Sequence, residues 1–307
     1  MAAQAPEILG FDQDAVARAA AAIARGGIVA VPTETVYGLA ADARVPEAVA
    51  RIYAAKGRPS FNPLIVHVLD VAAAGRLAVL DEDARMLAAR FWPGPLTLVL
   101  PLRGDAGLAG AVTAGLGTVA IRVPAHRAMR ALLTASGVPL AAPSANASNH
   151  ISPTRAAHVA GSMGNRVPLI LDDGACAAGV ESTIVAGRTI LRPGPVTQEM
   201  LAAVLPVAPG RTAHVSAPGQ LAHHYAPRKP VRLDAVERDG DEWLIGFGAV
   251  AGDDNLSAAG DPVEAAARLF DALHRADASD RVRIAVAPVP AGGMGAAIND
   301  RLRRAAG

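Results

Sequence analysis

The sequence predicts an α/β protein of two domains, and three observations carry that prediction. At 307 residues the chain is long for one domain and comfortable for two. It is 51% hydrophobic but only 3% aromatic, so its core must be built from Ala, Val and Leu. That composition suits sheets covered by Ala-rich helices. Short β-branched or leucine-rich runs also alternate with helix-period segments along most of the chain.

The elements follow in order. A first helix is expected over residues 12–25, with Ala, Val and Ile on one face and Gly26-Gly27 as its stop. Residues 28–31 read as a buried strand that Pro32 ends, opening into the polar Thr33-Glu34-Thr35. A strand emptying into a polar turn is a common place for a site in an α/β protein. A helix with Pro at its first turn spans 46–55, and a strand spans 64–68. Helices at 72–80 and 82–91, strands at 96–100 and 119–123, a helix at 125–135 and short strands at 140–142, 169–171, 182–185 and 189–191 complete the first unit. Crossovers mixed with close strand pairs predict a mixed sheet.

Residues 206–230 hold five prolines, two glycines and three histidines without apolar periodicity. They read as a linker, too long for an idle loop inside a compact domain. The domains are thus expected at 1–205 and 231–307. The second carries strands at 231–233, 243–247 and 284–286 and helices at 262–276 and 296–306.

Composition also excludes function classes. The net charge of +1, with both signs interspersed, argues against a general nucleic-acid coat. The single Cys176 allows no disulfide framework within the chain and fits a reducing compartment; it reads as a small buried residue, with a nucleophile as the alternative. The first ten residues lack the pattern of a signal peptide, and no uninterrupted apolar run suits a membrane span, so a cytoplasmic protein is expected. Neither standard phosphate loop is present, and zinc-ligand spacing is absent. His223-His224 are adjacent and would point different ways on a regular element, which makes a poor metal pair.

Three polar clusters lie just beyond predicted elements. In Lys56-Gly57-Arg58-Pro59-Ser60-Phe61-Asn62-Pro63, two cations flank a glycine and can aim a point charge and a planar fork at one anion. The alternative is a helix C-terminus with its usual basic residues. Pro143-Ser144-Ala145-Asn146-Ala147-Ser148, followed by Ser152-Pro153-Thr154, offers hydroxyls, an amide and backbone N–H groups to phosphate oxygens, or else forms only caps and turns. Arg192 closes a strand before the rigid Pro193-Gly194-Pro195, either held for a ligand or simply solvated. Arg122 lies within the apolar Val119-Ala120-Ile121-Arg122-Val123 and needs a partner, a protein carboxylate or a ligand's. His67, within Ile65-Val66-His67-Val68, is either a hydrogen-bonded core histidine or a functional one. Together these residues and Ser182 suggest an anion pocket and a phosphorylated substrate, without naming a reaction.

Seven stretches in this order resemble the YrdC/Sua5 family of threonylcarbamoyl-AMP synthases. They are Val31-Pro32-Thr33-Glu34-Thr35-Val36-Tyr37-Gly38-Leu39; the Lys56-Gly57-Arg58 loop with Asn62-Pro63-Leu64; Phe91-Trp92-Pro93-Gly94-Pro95-Leu96-Thr97; Ile121-Arg122-Val123-Pro124; Pro143-Ser144-Ala145-Asn146; Glu181-Ser182-Thr183-Ile184-Val185; and Leu191-Arg192-Pro193-Gly194. His224-Tyr225-Ala226-Pro227 and Gly295-Ala296-Ala297-Ile298-Asn299-Asp300-Arg301 are similar to the linker and tail of the long, two-domain Sua5 branch. Two departures stand out: Asn149 where the family usually has Gly, and His223 where it tends to carry a basic residue.

The resemblance implies a YrdC-like twisted mixed sheet with helices, followed by a smaller Rossmann-like α/β Sua5 domain. It implies a nucleotidyltransferase that joins L-threonine, bicarbonate or CO2, and ATP into threonylcarbamoyl-AMP and pyrophosphate, for modification of tRNA by a downstream transferase. Lys56 and Arg58 would be catalytic and hold phosphates. Asn62, Thr118, Ser144, Asn146, Ser152, Arg192 and Tyr225 would join them around ATP. Thr35, His67, Arg122 and Ser182 would hold threonine. Mg2+ would arrive with the ATP rather than in a carboxylate cage. Tyr225 would be a lid over the nucleotide or an anchor pinning the linker. A non-catalytic RNA-binding protein and a carbamoyl-transfer domain of the hydrogenase-maturation type are the rival readings, and direct contact with tRNA is left open.

Overall fold

The computed structural model describes residues 5–210 and 225–307. The first domain contributes strands β1 (Glu7–Gly10), β2 (Val29–Pro32), β3 (Tyr37–Asp42), β4 (Ile65–His67), β5 (Leu96–Pro101), β6 (Thr118–Arg122), β7 (Leu140–Ala141), β8 (Leu169–Asp172), β9 (Thr183–Ala186), β10 (Thr189–Arg192) and β11 (Ala208–Pro209). Its helices are α1 (Gln13–Ala24), α2 (Pro46–Lys56), α3 (Val71–Leu77), α4 (Glu82–Phe91), α5 (Gly110–Thr113), α6 (Arg127–Ser136), α7 (Ala156–Met163) and α8 (Gln198–Ala202). The strands form one mixed sheet in the order β1-β8-β2-β3-β7-β4-β6-β5-β9-β10-β11.

Local chemistry explains the elements that position the site. Asp12 caps α1 by accepting from the Ala15 N–H at 2.7 Å, and the helix buries Ala15, Val16, Ala19, Ala20 and Ile23. Pro46 starts α2, and Gly57 ends it in a left-handed conformation (φ +61°) that a side chain would strain. That cap turns the chain between Lys56 and Arg58, so the two cations leave the helix in different directions. Parallel pairing of β4 with β6 sets His67 opposite Arg122 and Ile65 opposite Ala120. Registered neighbours share a face, so the imidazole and the guanidinium stand side by side.

The second domain has strands β12 (Val231–Arg232), β13 (Glu242–Gly246), β14 (Asp254–Asn255) and β15 (Arg283–Val286). They form a parallel sheet in the order β12-β15-β13-β14, with helices α9 (Pro262–Ala278) and α10 (Met294–Ala306). Its core takes in Val36, Ile151 and Val180 of the first domain, so it is seated on loops that also shape the site. The seating is close at Gly179 (φ +68°), where a Cβ would overlap the Ala266 carbonyl of α9. Within the stretch expected to be a linker, Ala208–Pro209 instead adds an edge strand beside β10. His223 and His224 lie outside the described residues. No helix among the described residues is long and apolar enough to cross a membrane.

Candidate active site

One cavity of about 50 Å3 gathers residues from every motif of the first domain except the Trp92-Pro93 turn. Thr35, Arg58, His67, Arg122, Ser144, Ser182, Arg192 and Tyr225, all expected from the sequence, line it, with Thr33 and Glu181 in addition.

One end is built around Arg122, which is 3% exposed. Its Nη1 donates to Thr35 Oγ1 at 2.8 Å and its Nε to the Gly94 carbonyl at 3.2 Å. Its Nη2 lies 2.7 Å from Glu34 Oε1, close enough for an ion pair. The two atoms meet off the ideal hydrogen-bond angle, so the contact is chiefly charge against charge. Burial pushes the Glu34 carboxyl up, but the Arg122 guanidinium more than offsets it and holds the group below its usual range. Beside Arg122, His67 is fully enclosed, and its Nδ1 has no hydrogen-bond partner. Burial, reinforced by the Arg122 charge, lowers its pKa to about 3, so it is a neutral imidazole at physiological pH. Ser182 Oγ sits 2.7 Å from Thr97 Oγ1 and accepts from Arg192 Nη2 at 3.1 Å.

The anion end is made of cations whose protein partners carry no charge. Arg58 donates from Nε to the Asn62 carbonyl at 3.1 Å and from Nη2 to the Pro63 carbonyl at 2.8 Å. Burial lowers its pKa to about 10, which leaves it charged at neutral pH. Arg192 gives both Nε and Nη2 to the Ser182 carbonyl, at 3.0 and 2.9 Å, and burial lowers its pKa as well. Among the described residues, Lys56, Arg58, Arg122, Arg192 and Arg301 are thus buried against three nearby carboxylates, Glu34, Glu181 and Asp300. Buried positive charge in such excess favours an anionic ligand.

Several expected residues act at one remove. Lys56, expected to hold phosphate, does not line this cavity. Its Nζ donates to the Ser144 and Asn146 carbonyls at 2.6 Å each and to Asn146 Oδ1 at 3.2 Å, which consumes all three protons. Lys56 therefore clasps the 144–146 loop from behind. Burial, followed by repulsion from Arg58 and Arg166, drives its pKa well below the ordinary lysine value, with Glu181 opposing. Asn146 is also off the wall: its Oδ1 accepts from Ser144 Oγ at 2.6 Å and its Nδ2 donates to the His150 carbonyl at 2.7 Å. Ser152 donates to Glu181 Oε1 behind the wall. Asn62, 1% exposed, lies outside the cavity with Oδ1 lacking a hydrogen-bond partner. Thr118 opens the strand that Arg122 closes, roughly 13 Å away along β6. It is outside this cavity but on the same sheet face, with Ala120 between. Asn149 adopts φ +67°, the left-handed turn expected there, and accepts from the Ala226 N–H at 2.8 Å.

Tyr225 joins the cavity wall to the core of the second domain. It is 1% exposed, lines the cavity, and packs on Phe270 with ring centroids 5.6 Å apart. The sequence did not single out Glu34, Glu181 or Arg301 for a role. Glu34 carried a signal, a carboxylate in the polar turn facing a strand that needed one. Arg301 carried none, because its burial depends on how the domains meet.

Two family models cover this chain. One, Sua5/YciO/YrdC, described as telomere recombination, matches residues 21–194. The other, described as the threonylcarbamoyl-AMP synthase C-terminal domain, matches residues 196–307. The fold and site therefore define a two-domain protein of the YrdC-plus-Sua5 class. Threonylcarbamoyl-AMP synthases from Bacillus subtilis and Pyrococcus abyssi are each 40% identical to this chain, over 95% and 94% of it and 93% of their own lengths. The crystal structure of P. abyssi Sua5 complexed with L-threonine superposes with a TM-score of 0.90 at 37% identity, covering 98% of this chain and 97% of that one. The chain belongs to the Sua5/YrdC family of threonylcarbamoyl-AMP synthases, in its long branch.

Proposed function

We propose that this enzyme is an L-threonylcarbamoyladenylate synthase, a nucleotidyltransferase acting on L-threonine, bicarbonate or CO2, and ATP. The observation that carries the reading is a single cavity with two ends. One end has an arginine, a neutral histidine and hydroxyls suited to an amino acid. The other has Arg58 and Arg192, whose charges are spent only on carbonyl and hydroxyl oxygens.

In this scheme the threonine carboxylate meets the positive charge of Arg122, and Thr35 and Ser182 complete its seat. The surrounding guanidinium charge disfavours the ammonium form of threonine and so favours the nucleophilic amine. The amine nitrogen bonds to the carbon of CO2 and loses a proton, giving a carbamate. A carbamate oxygen then bonds to the α-phosphorus of ATP, and the bond to the bridging oxygen breaks as pyrophosphate leaves. Arg58 and Arg192 hold negative charge as it shifts onto the leaving group, which is placement and electrostatics rather than covalent catalysis. His67 serves as a hydrogen-bonding partner, since a group with a pKa of about 3 is a weak base.

A cavity of about 50 Å3 is small beside the roughly 300–1,000 Å3 of sites that hold such ligands. ATP entry therefore requires the cavity to widen; in this reading Tyr225 swings from its wall to admit the nucleotide, and its return excludes water from a hydrolysable carbamate. The nucleotide would run from Arg192 and Arg58 over Ile65 and Ala120 towards Thr118, with Ser144 on its flank and Lys56, Asn62, Asn146 and Ser152 fixing the loops. The described residues offer no group of three His, Cys, Asp or Glu for a metal, and Glu181, the carboxylate on the wall, is already engaged. Magnesium enters only as part of the MgATP substrate. The mixed-anhydride product calls for a downstream transferase to deliver it to tRNA, and the lone Cys176 fits a cytoplasmic setting.

The test is pyrophosphate release by the purified protein. Release should require threonine and bicarbonate together; release from ATP alone at the same rate would reject the reading.

A further inference from the structure

A side chain of the second domain, Arg301, grips the cavity wall from behind without lining the cavity itself. Arg301, from the middle of α10, is 0% exposed. Its Nε donates to Glu181 Oε2 at 2.8 Å, its Nη2 to the Glu181 carbonyl at 3.3 Å and its Nη1 to Asp300 Oδ2 at 2.7 Å. Its guanidinium carbon lies 5.3 Å from the centre of the Tyr225 ring. Glu181 is a carboxylate on the wall of a cavity whose other charged lining residues are Arg58, Arg122 and Arg192, two of them the arginines assigned to the triphosphate. Both of its oxygens are engaged, Oε1 by Ser152 and Oε2 by Arg301.

We propose that Arg301 is a positioning residue for nucleotide binding: it holds the Glu181 carboxylate away from Arg58 and Arg192, so that these stay open to phosphate. The proposal rests on the functional reading above and extends it to the second domain. A buried carboxylate that loses its partner is left uncompensated, which favours a new pairing with a cation within reach. Arg192 shares the cavity wall with Glu181, and its field already reaches that carboxylate. A Glu181–Arg192 pair would place a negative charge where a phosphate belongs and occupy the donor meant for it. Arg301 thus acts on ATP through Glu181, and on Tyr225 through the face of its ring, without touching substrate.

The test compares wild type, Arg301→Met, Arg301→Lys, Glu181→Gln and the Glu181→Gln/Arg301→Met double variant in the full-length chain. Pyrophosphate release gives KM for ATP and for threonine, and calorimetric titration gives ATP affinity without turnover. Arg301→Met should raise KM and Kd for ATP about tenfold or more while KM for threonine moves less than about threefold. Arg301→Lys should fall between the two. The double variant should recover most of the ATP affinity, because the stray carboxylate is gone. ATP affinity in Arg301→Met equal to wild type overturns the proposal, as does a double variant no better than Arg301→Met. If Arg301→Met does not fold, Arg301→Lys and the double variant decide: weakened ATP affinity in Arg301→Lys with near-wild-type affinity in the double variant supports the proposal, and wild-type affinity in Arg301→Lys or a double variant no better than Arg301→Lys overturns it. A wild-type chain that makes no product and binds no ATP sinks the functional reading and this assignment with it; an active wild type with an unaffected Arg301→Met sinks this assignment alone.

Discussion

Replacing Arg122 with Met tests the amino-acid end of the cavity. The substitution keeps much of the side-chain volume and removes the charge, the 2.8 Å bond to Thr35 and the 2.7 Å approach to Glu34. Two consequences should separate. A charge-assisted bond to a ligand carboxylate contributes about 1.5–3 kcal/mol, so KM for threonine should rise about 10- to 150-fold while KM for ATP changes little. The largely buried Glu34 also loses its partner, which costs about 3–5 kcal/mol of folding stability in typical buried pairs. Adding Glu34→Gln removes the orphaned charge. The Arg122→Met/Glu34→Gln variant should regain most of the stability in urea denaturation yet keep the high KM for threonine. Pyrophosphate release at varied threonine and fixed ATP reads the first effect. If the folded single variant keeps the wild-type KM for threonine, Arg122 serves only as the partner of Glu34, and the proposed threonine seat is wrong.

At the anion end, Arg58→Ala and Arg192→Ala should each raise KM for ATP by tenfold or more, read from pyrophosphate release at saturating threonine; a change confined to threonine would reverse the assignment of the two ends. Lys56→Met should destabilise the chain by at least about 2 kcal/mol in urea, since it strips donors from two carbonyls and the Asn146 amide oxygen; undiminished stability would mean that Lys56 is not the clasp of that loop. His67 makes stability depend on pH. Its folded pKa of about 3 is depressed below the ordinary 6.5, so the unfolded chain takes up the proton first. The contribution is whole above pH 6.5 and is lost as pH falls towards 3, by up to about 1.4 kcal/mol per unit. Urea midpoints of His67→Gln should fall less steeply than wild type between pH 6.5 and 4, and parallel curves would show that the imidazole is not held neutral.

Much of the fold could be read from the sequence where a pattern is local. The first helix, expected at 12–25, runs Gln13–Ala24, and the helix expected at 262–276 runs Pro262–Ala278, because caps and apolar faces lie within the segments themselves. Strand β3 was missed. Tyr37–Asp42 is buried along its whole length, so it lacks the alternation that marks a half-exposed strand. With β2 it forms an antiparallel pair whose turn is Thr33 to Val36, part of the cavity wall. Strand β1, exposed at Glu7 and Ile8, carried too little apolar signal, and its pairing with β8 spans most of the domain. The site was legible as a set of residues but not as a set of roles. Arg122 announced itself as a cation on an apolar strand, while Lys56 and Arg58 looked alike until the turn at Gly57 sent one behind the loop and the other to the cavity. The Arg301–Glu181 contact joins residues 120 positions apart in sequence across two domains, and no local pattern encodes it.

The central claim is that one cavity holds an amino acid and ATP together and couples them through a carbamate. Mass analysis of a reaction containing ATP, L-threonine and carbon-13 bicarbonate tests it most directly. The account predicts an AMP adduct that contains threonine and the labelled carbon, with far less product when serine replaces threonine. ATP consumed without any such adduct, or an adduct lacking the label, would contradict it.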